Sequence, residues 1–152
     1  MQKVIDEYAQ GYERLLAAIS GLNEEQMRFQ PAPGKWSIHE IIVHMADAEV
    51  VGIHRLKKVL AEHEPMLTAY DQDAWAVRLG YDELDAEQYL QLFKLLRESF
   101  LPVLGKVTED DWKRVGIHSE AGPLTFGQLL QKYVDHVRDH LQQIERVKAA
   151  MR

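Results

Sequence analysis

Apolar side chains recur at helical spacing in four long stretches of the chain. From about Val4 to Leu22, the residues Val4, Ile5, Tyr8, Tyr12, Leu15, Leu16 and Ile19 share a face, and Gly21 marks an end. A second helix is expected from Ser37 to about Glu62. Ser37 with Glu40 forms a capping-box pattern, and Ile38, Ile41, Ile42, Met45, Ile53, Leu56, Val59 and Leu60 make the stripe. A third runs from about Ala86 to Val107 with Tyr89, Leu92, Phe93, Leu96, Phe100 and Leu104 inward, and Pro102 is expected to kink it or end it early. The fourth follows Thr125, whose capping partner is Gln128, and carries Phe126, Leu129, Leu130, Tyr133, Val134, Val137, Leu141, Ile144 and Val147.

The connections are less regular. "QPAPGKW" (30–36) holds two prolines and a glycine, which disfavour helix. His63 to Asp85 is long for a link inside a small domain, and it predicts one short helix around Asp71 to Val77. "TEDDW" predicts a helical turn capped by Thr108, and "KRVGIHSEAGP" reads as a loop or a small hairpin. Four amphipathic helices without a convincing strand predict an all-α protein, an antiparallel four-helix bundle. The long second connection argues against simple up-down-up-down order.

Composition narrows the chemistry. A chain of 152 residues suits one domain, 1–152, able to bury a sizeable core. It contains no cysteine, which excludes disulfides, a thiol nucleophile and thiolate metal sites. A net charge of −6 without a basic block makes nucleic acid a poor partner. The absence of a spanning apolar run or a signal-like N-terminus leads to the expectation of a cytoplasmic protein with no membrane partner.

Any metal must therefore sit on His, Asp, Glu or water. Of seven histidines, His136 and His140 lie one turn apart on the fourth helix, at the edge of its apolar stripe. On the second helix His44 borders the stripe, whereas His39 and His54 point away from it. Three neutral imidazoles from two helices would leave open positions on an ion, the design of a catalytic site. Imidazole suits zinc, nickel, copper or iron alike. Histidines four apart are also common on helix surfaces, and His44 also fits a hydrogen-bonded core role. Glu40 reads first as the cap of Ser37. Asp47, Glu49 and Asp139 read as solvated charges, and Trp36 and Trp75 as packing residues. His118, Tyr70 and Asp71 are candidates for the mouth of a pocket. No catalytic residue is assigned: there is no Ser-His-Asp spacing, no glycine-rich phosphate loop and no evident general base.

Taken in order, the motifs resemble the DinB superfamily. "PAPGKWSIHEIIVHMADAE" is similar to the start of its second helix and "YVDHVRDHLQQI" to its C-terminal helix. "EPMLTAYDQDAWA" and "IHSEAGPLTFGQLL" resemble its YfiT-like branch. The resemblance spans about Pro31 to Ile144. It implies a four-helix bundle in up-down-down-up order and a divalent metal, commonly nickel or zinc, on three histidines that map to His44, His136 and His140. It implies a homodimer acting on a small-molecule substrate, either as a metal-dependent hydrolase or as a transferase that uses a low-molecular-weight thiol as cosubstrate. The absence of a general base leans the reading to the transferase. The competing expectation is a non-catalytic binding module whose metal is structural or absent.

Overall fold

A computed structural model describes residues 1–151. The helices are α1 (Gln2–Ala9), α2 (Gly11–Ile19), α3 (Glu24–Arg28), α4 (Ile38–Ala61), α5 (Gln72–Arg78), α6 (Ala86–Leu104), α7 (Glu109–Trp112) and α8 (Phe126–Ala150). Three short strands join them: β1 (Met66–Leu67), β2 (Val115–His118) and β3 (Gly122–Thr125).

The capping boxes set the starts of the long helices. Ser37 Oγ accepts from the Glu40 N–H and Glu40 reaches back to the Ser37 N–H, each at 3.2 Å. Thr125 and Gln128 do the same at the head of α8. Asp85 opens α6, Asp71 opens α5, and Thr108 caps α7 as expected. The chain continues helical through Pro102, which lies in the last turn of α6, and the helix ends at Leu104, short of the expected Val107.

Two buried clusters fix the helix directions. One joins Tyr8, the C-terminal half of α4 (Ile53, Leu56, Val59), the end of α6 (Phe100, Leu104) and the start of α8 (Phe126 to Val134). The other joins Leu15, the start of α4 (Ile38 to Ala46), the start of α6 (Leu90, Phe93) and the end of α8 (Val137, Ile144, Val147). Helices α4 and α6 are therefore parallel, and α8 and the α1–α2 arm run opposite to both. That is the up-down-down-up bundle, and the long 62–85 connection is the crossover that parallel neighbours require.

Several expectations are corrected. The first helix is not continuous: Arg97 inserts its guanidinium at the α1–α2 junction and donates to the Tyr8 carbonyl at 2.7 Å. Gly11 leaves the room, since a Cβ there would lie 2.5 Å from Arg97 Nη1. The chain also has strands. "KRVGIHSEAGP" lies within an antiparallel hairpin of β2 and β3, and β1 adds to β2 in parallel. This small sheet lies over the end of α4, where Gly116 allows close approach to Val59 and Leu67. Finally, α4 is the central helix and is buried nearly all round. His39 is only 4% exposed and Glu49 only 1%, so neither is the outward-facing group its place on the helical wheel predicts.

Candidate metal centre

Helices α4 and α8 run antiparallel and in contact, which brings His44 against the turn holding His136 and His140. His44 Nε2 and His136 Nε2 are 3.0 Å apart, and His136 Nε2 and His140 Nε2 are also 3.0 Å apart. All three ligand atoms lie within 4.8 Å of one another, and the group can hold a metal ion. His44 has no exposed surface, and the tilted ring of Trp36 packs on it at 4.8 Å between centroids. Trp36 is thus more than a core filler: it fixes the plane of His44.

The protonation states suit ligation. Burial, with His140 nearby, pushes His44 down to about 3. Burial, then His140, His44 and Arg97, pushes His136 down to about 2. Burial also lowers His140, against the opposing pull of Gln143 and Asp139. All three rings are neutral near pH 7, with nitrogen lone pairs available. His140 Nδ1 lies 2.7 Å from Gln143 Oε1, so this ring carries its proton on Nδ1 and turns the Nε2 lone pair inward. Packing three neutral acceptors this closely is unfavourable unless a proton or cation sits among them. The donor set fits a divalent transition ion, whose bonds of about 2.0–2.1 Å to imidazole set nitrogens roughly 3 Å apart.

A second contact anchors α8 one turn earlier. Arg97 Nε donates to Glu49 Oε1 at 2.5 Å and Arg97 Nη2 to the Tyr133 carbonyl at 3.0 Å, while Tyr8 donates to Glu49 Oε2 at 3.1 Å. This buried network ties α1, α4, α6 and α8 together beside the histidines.

A cleft of about 360 Å³ opens at the centre, lined by His136, Tyr133, Arg55, Lys132, Tyr70 and His118, among others. The expected mouth residues Tyr70 and His118 are there. Asp71 instead caps α5, accepting from the Ala74 N–H at 3.0 Å. Glu40 is a cap, as read, and Asp47 is half-buried and accepts from the Tyr81 hydroxyl at 2.6 Å. A larger cavity, about 600 Å³, lies by His39 and the α3 segment, away from the three histidines. Gln143, Arg55 and Lys132 went unsingled in the sequence. Only Gln143 left a signal, three residues after a candidate ligand.

A family model described as the DinB superfamily matches residues 7–144. A protein of Oceanobacillus iheyensis is 30% identical over 123 residues, 81% of this chain and 71% of that one. One from Bacillus licheniformis is 28% identical over 146 residues, 95% and 83% of the two chains. Both carry the name "putative metal-dependent hydrolase". The solved structure of YfiT from Bacillus subtilis, with an unusual four-helix bundle topology, superposes with a TM-score of 0.91 at 24% identity, covering 99% of this chain and 86% of that one.

Proposed function

The chain belongs to the DinB superfamily, and from that premise we propose that it is a divalent-metal-dependent enzyme acting on a small molecule, with His44, His136 and His140 as the metal ligands. The observation that carries this reading is the convergence of three neutral imidazole nitrogens, His44 buried and His136 and His140 half-buried, beside an open cleft. Nickel or zinc is the metal proposed. When bound, the ion supplies Lewis acidity, lowering the pKa of a water or thiol offered to it. The chain's own part is to hold the ligands. Gln143 keeps the proton of His140 on Nδ1, Trp36 orients His44, and the Arg97 network sets the height of α8.

Within that reading we favour transfer of a low-molecular-weight thiol over hydrolysis. The supporting observation is the state of the nearby carboxylates. Glu49 is bound to Arg97 and Tyr8, Asp47 to Tyr81, Glu40 to the head of α4, and Asp135 and Asp139 on the cleft wall face Arg138. Hydrolysis normally draws on a free carboxylate base, whereas a thiol needs only to lose its proton on arrival. The test is an assay of nickel- and zinc-loaded protein with a panel of cellular thiols and an alkylating electrophile, beside ester and amide substrates. Thiol transfer that disappears in His140→Ala supports the transferase. Metal-dependent ester or amide cleavage with no thiol transfer makes the hydrolase correct. A variant that loses stability while no activity is found in either protein favours a binding module with a structural metal.

The same proposal takes residues 1–152 as one cytoplasmic domain working as a homodimer. Among the described residues no helix is long and apolar enough to cross a membrane. Exposed apolar side chains such as Val77, Leu79 and Leu95 are compatible with an interface, and sedimentation of the purified protein tests the assembly.

A further inference from the structure

The wall of the cleft carries positive groups that the metal reading does not use. Arg55 Nη1 donates to the Tyr133 hydroxyl at 3.2 Å and Nη2 to the Thr68 carbonyl at 2.5 Å, while its buried Nε has no partner. No carboxylate pairs with Arg55 among the described residues. Arg97 shows how this chain treats a purely structural guanidinium: it receives Glu49 and two backbone carbonyls. Arg55 is half-buried, held by two hydrogen bonds and left without an acid.

Lys132 repeats the pattern. Like several other lysines of the chain, Lys132 pairs with no acid among the described residues, and it stands on the same wall as Arg55. The two acids on the same wall turn elsewhere, Asp135 to Arg138 at 3.0 Å and Asp139 to Arg138 at 4.0 Å. His118 adds a donor, because its Nδ1 accepts the N–H groups of Glu120 and Ala121 and its ring proton is left on Nε2. Burial holds Tyr133 protonated, and since its oxygen accepts from Arg55, its own proton remains to be given. Burial first, then the charges of Arg55 and Lys132, lowers His118 against the opposing charge of Glu120, so its ring is neutral near pH 7.

We propose that this cleft receives an anionic group of the substrate, a carboxylate or a phosphate, between Arg55 and Lys132, with the Tyr133 hydroxyl as a neutral donor on the side of His136. The inference rests on the reading of the cleft as the substrate site. Its volume, about 360 Å³, suits a small molecule, and an unpaired guanidinium offers the fork that planar anions fit. The anion would anchor one end of the substrate, leaving the other to reach the histidines.

The experiment is a chemical-shift titration of the metal-free full chain with succinate, with inorganic phosphate and with uncharged succinamide. Succinate or phosphate should saturate shifts centred on Arg55, Lys132 and Tyr133, while succinamide should not. Arg55→Gln and Lys132→Gln should each weaken binding about tenfold, the weight of one charge-assisted contact. Lys132 is exposed, so its variant carries the test if Arg55→Gln fails to fold. The tighter of the two anions identifies the headgroup. The titration is repeated on His140→Ala, where anion binding should persist whether or not the metal reading holds. Failure of both anions to saturate, equal binding of succinamide, wild-type affinity in the lysine variant, or binding seen only with metal and lost in His140→Ala would overturn the proposal.

Discussion

His44 shows what a single residue does here. Its ring is fully buried, held by Trp36 on one side and facing His136 and His140 on the other. The outward partner Gln143 does comparable work for His140. Gln143→Ala should leave the fold intact and weaken metal affinity by about tenfold or more, as loss of a ligand's outer hydrogen bond commonly does, and competition with a chelator measures it. The buried Glu49–Arg97 pair makes a different prediction. Glu49→Leu strands a guanidinium and should cost about 3–5 kcal/mol. Adding Arg97→Met should recover part of that loss, which urea denaturation of the three proteins would reveal. At this scale His136 and His140 were legible because a four-residue spacing survives any packing. Glu49 and His39 were misread because a helical wheel shows only one helix. It does not show that α4 is enclosed by α3, α6 and α8.

The helices are built by local signals, and so were largely legible. Ser37 with Glu40 and Thr125 with Gln128 gave the starts of α4 and α8 to the residue. Ser37→Ala should cost about 1 kcal/mol, read as a lowered melting temperature. The α1–α2 break was not legible because its cause, Arg97, lies far along the chain. Gly11→Ala separates the two influences. Helix propensity alone predicts a gain of roughly 1 kcal/mol, whereas the structure predicts a loss, because the new Cβ would press on a guanidinium pinned by Glu49. Thermal denaturation gives the sign. The β2–β3 hairpin was one of the two readings of "KRVGIHSEAGP", but β1 escaped notice for the same reason. Met66 and Leu67 are two residues whose pairing depends on Ile117 and His118, some fifty positions away.

At the scale of the whole molecule, the crossover from α4 to α6 makes the centre possible. It allows α4 and α6 to run parallel, and α8 then returns antiparallel with its histidine turn facing His44. The long 62–85 connection signalled this order in the sequence, and Tyr70 and His118 were legible as mouth residues of the cleft. Arg55 and Lys132 were not, because they come from α4 and α8 and meet on one wall only in the fold. The site also couples pH to stability. His44 and His136 titrate near 3 and 2 in the folded protein and near 6.5 when unfolded. The unfolded chain therefore binds more protons below pH 6.5, so metal-free protein is most stable above that pH. It should lose up to about 1.4 kcal/mol per pH unit per imidazole as the pH falls towards 3. Chemical denaturation at pH 7.5, 6 and 5 checks the slope. Bound metal should raise stability at each pH while leaving the share of the slope from His44 and His136 unchanged, since both rings are already unprotonated in the folded protein over this range.

The most direct test of the account is elemental analysis of untagged protein, purified without a metal column, beside His140→Ala. The account predicts about one equivalent of a divalent transition metal per chain, lost in the variant while its helical spectrum is kept. No metal in either protein, even after reconstitution with nickel and zinc, would contradict it and leave the three histidines as a packing feature of a bundle with another role.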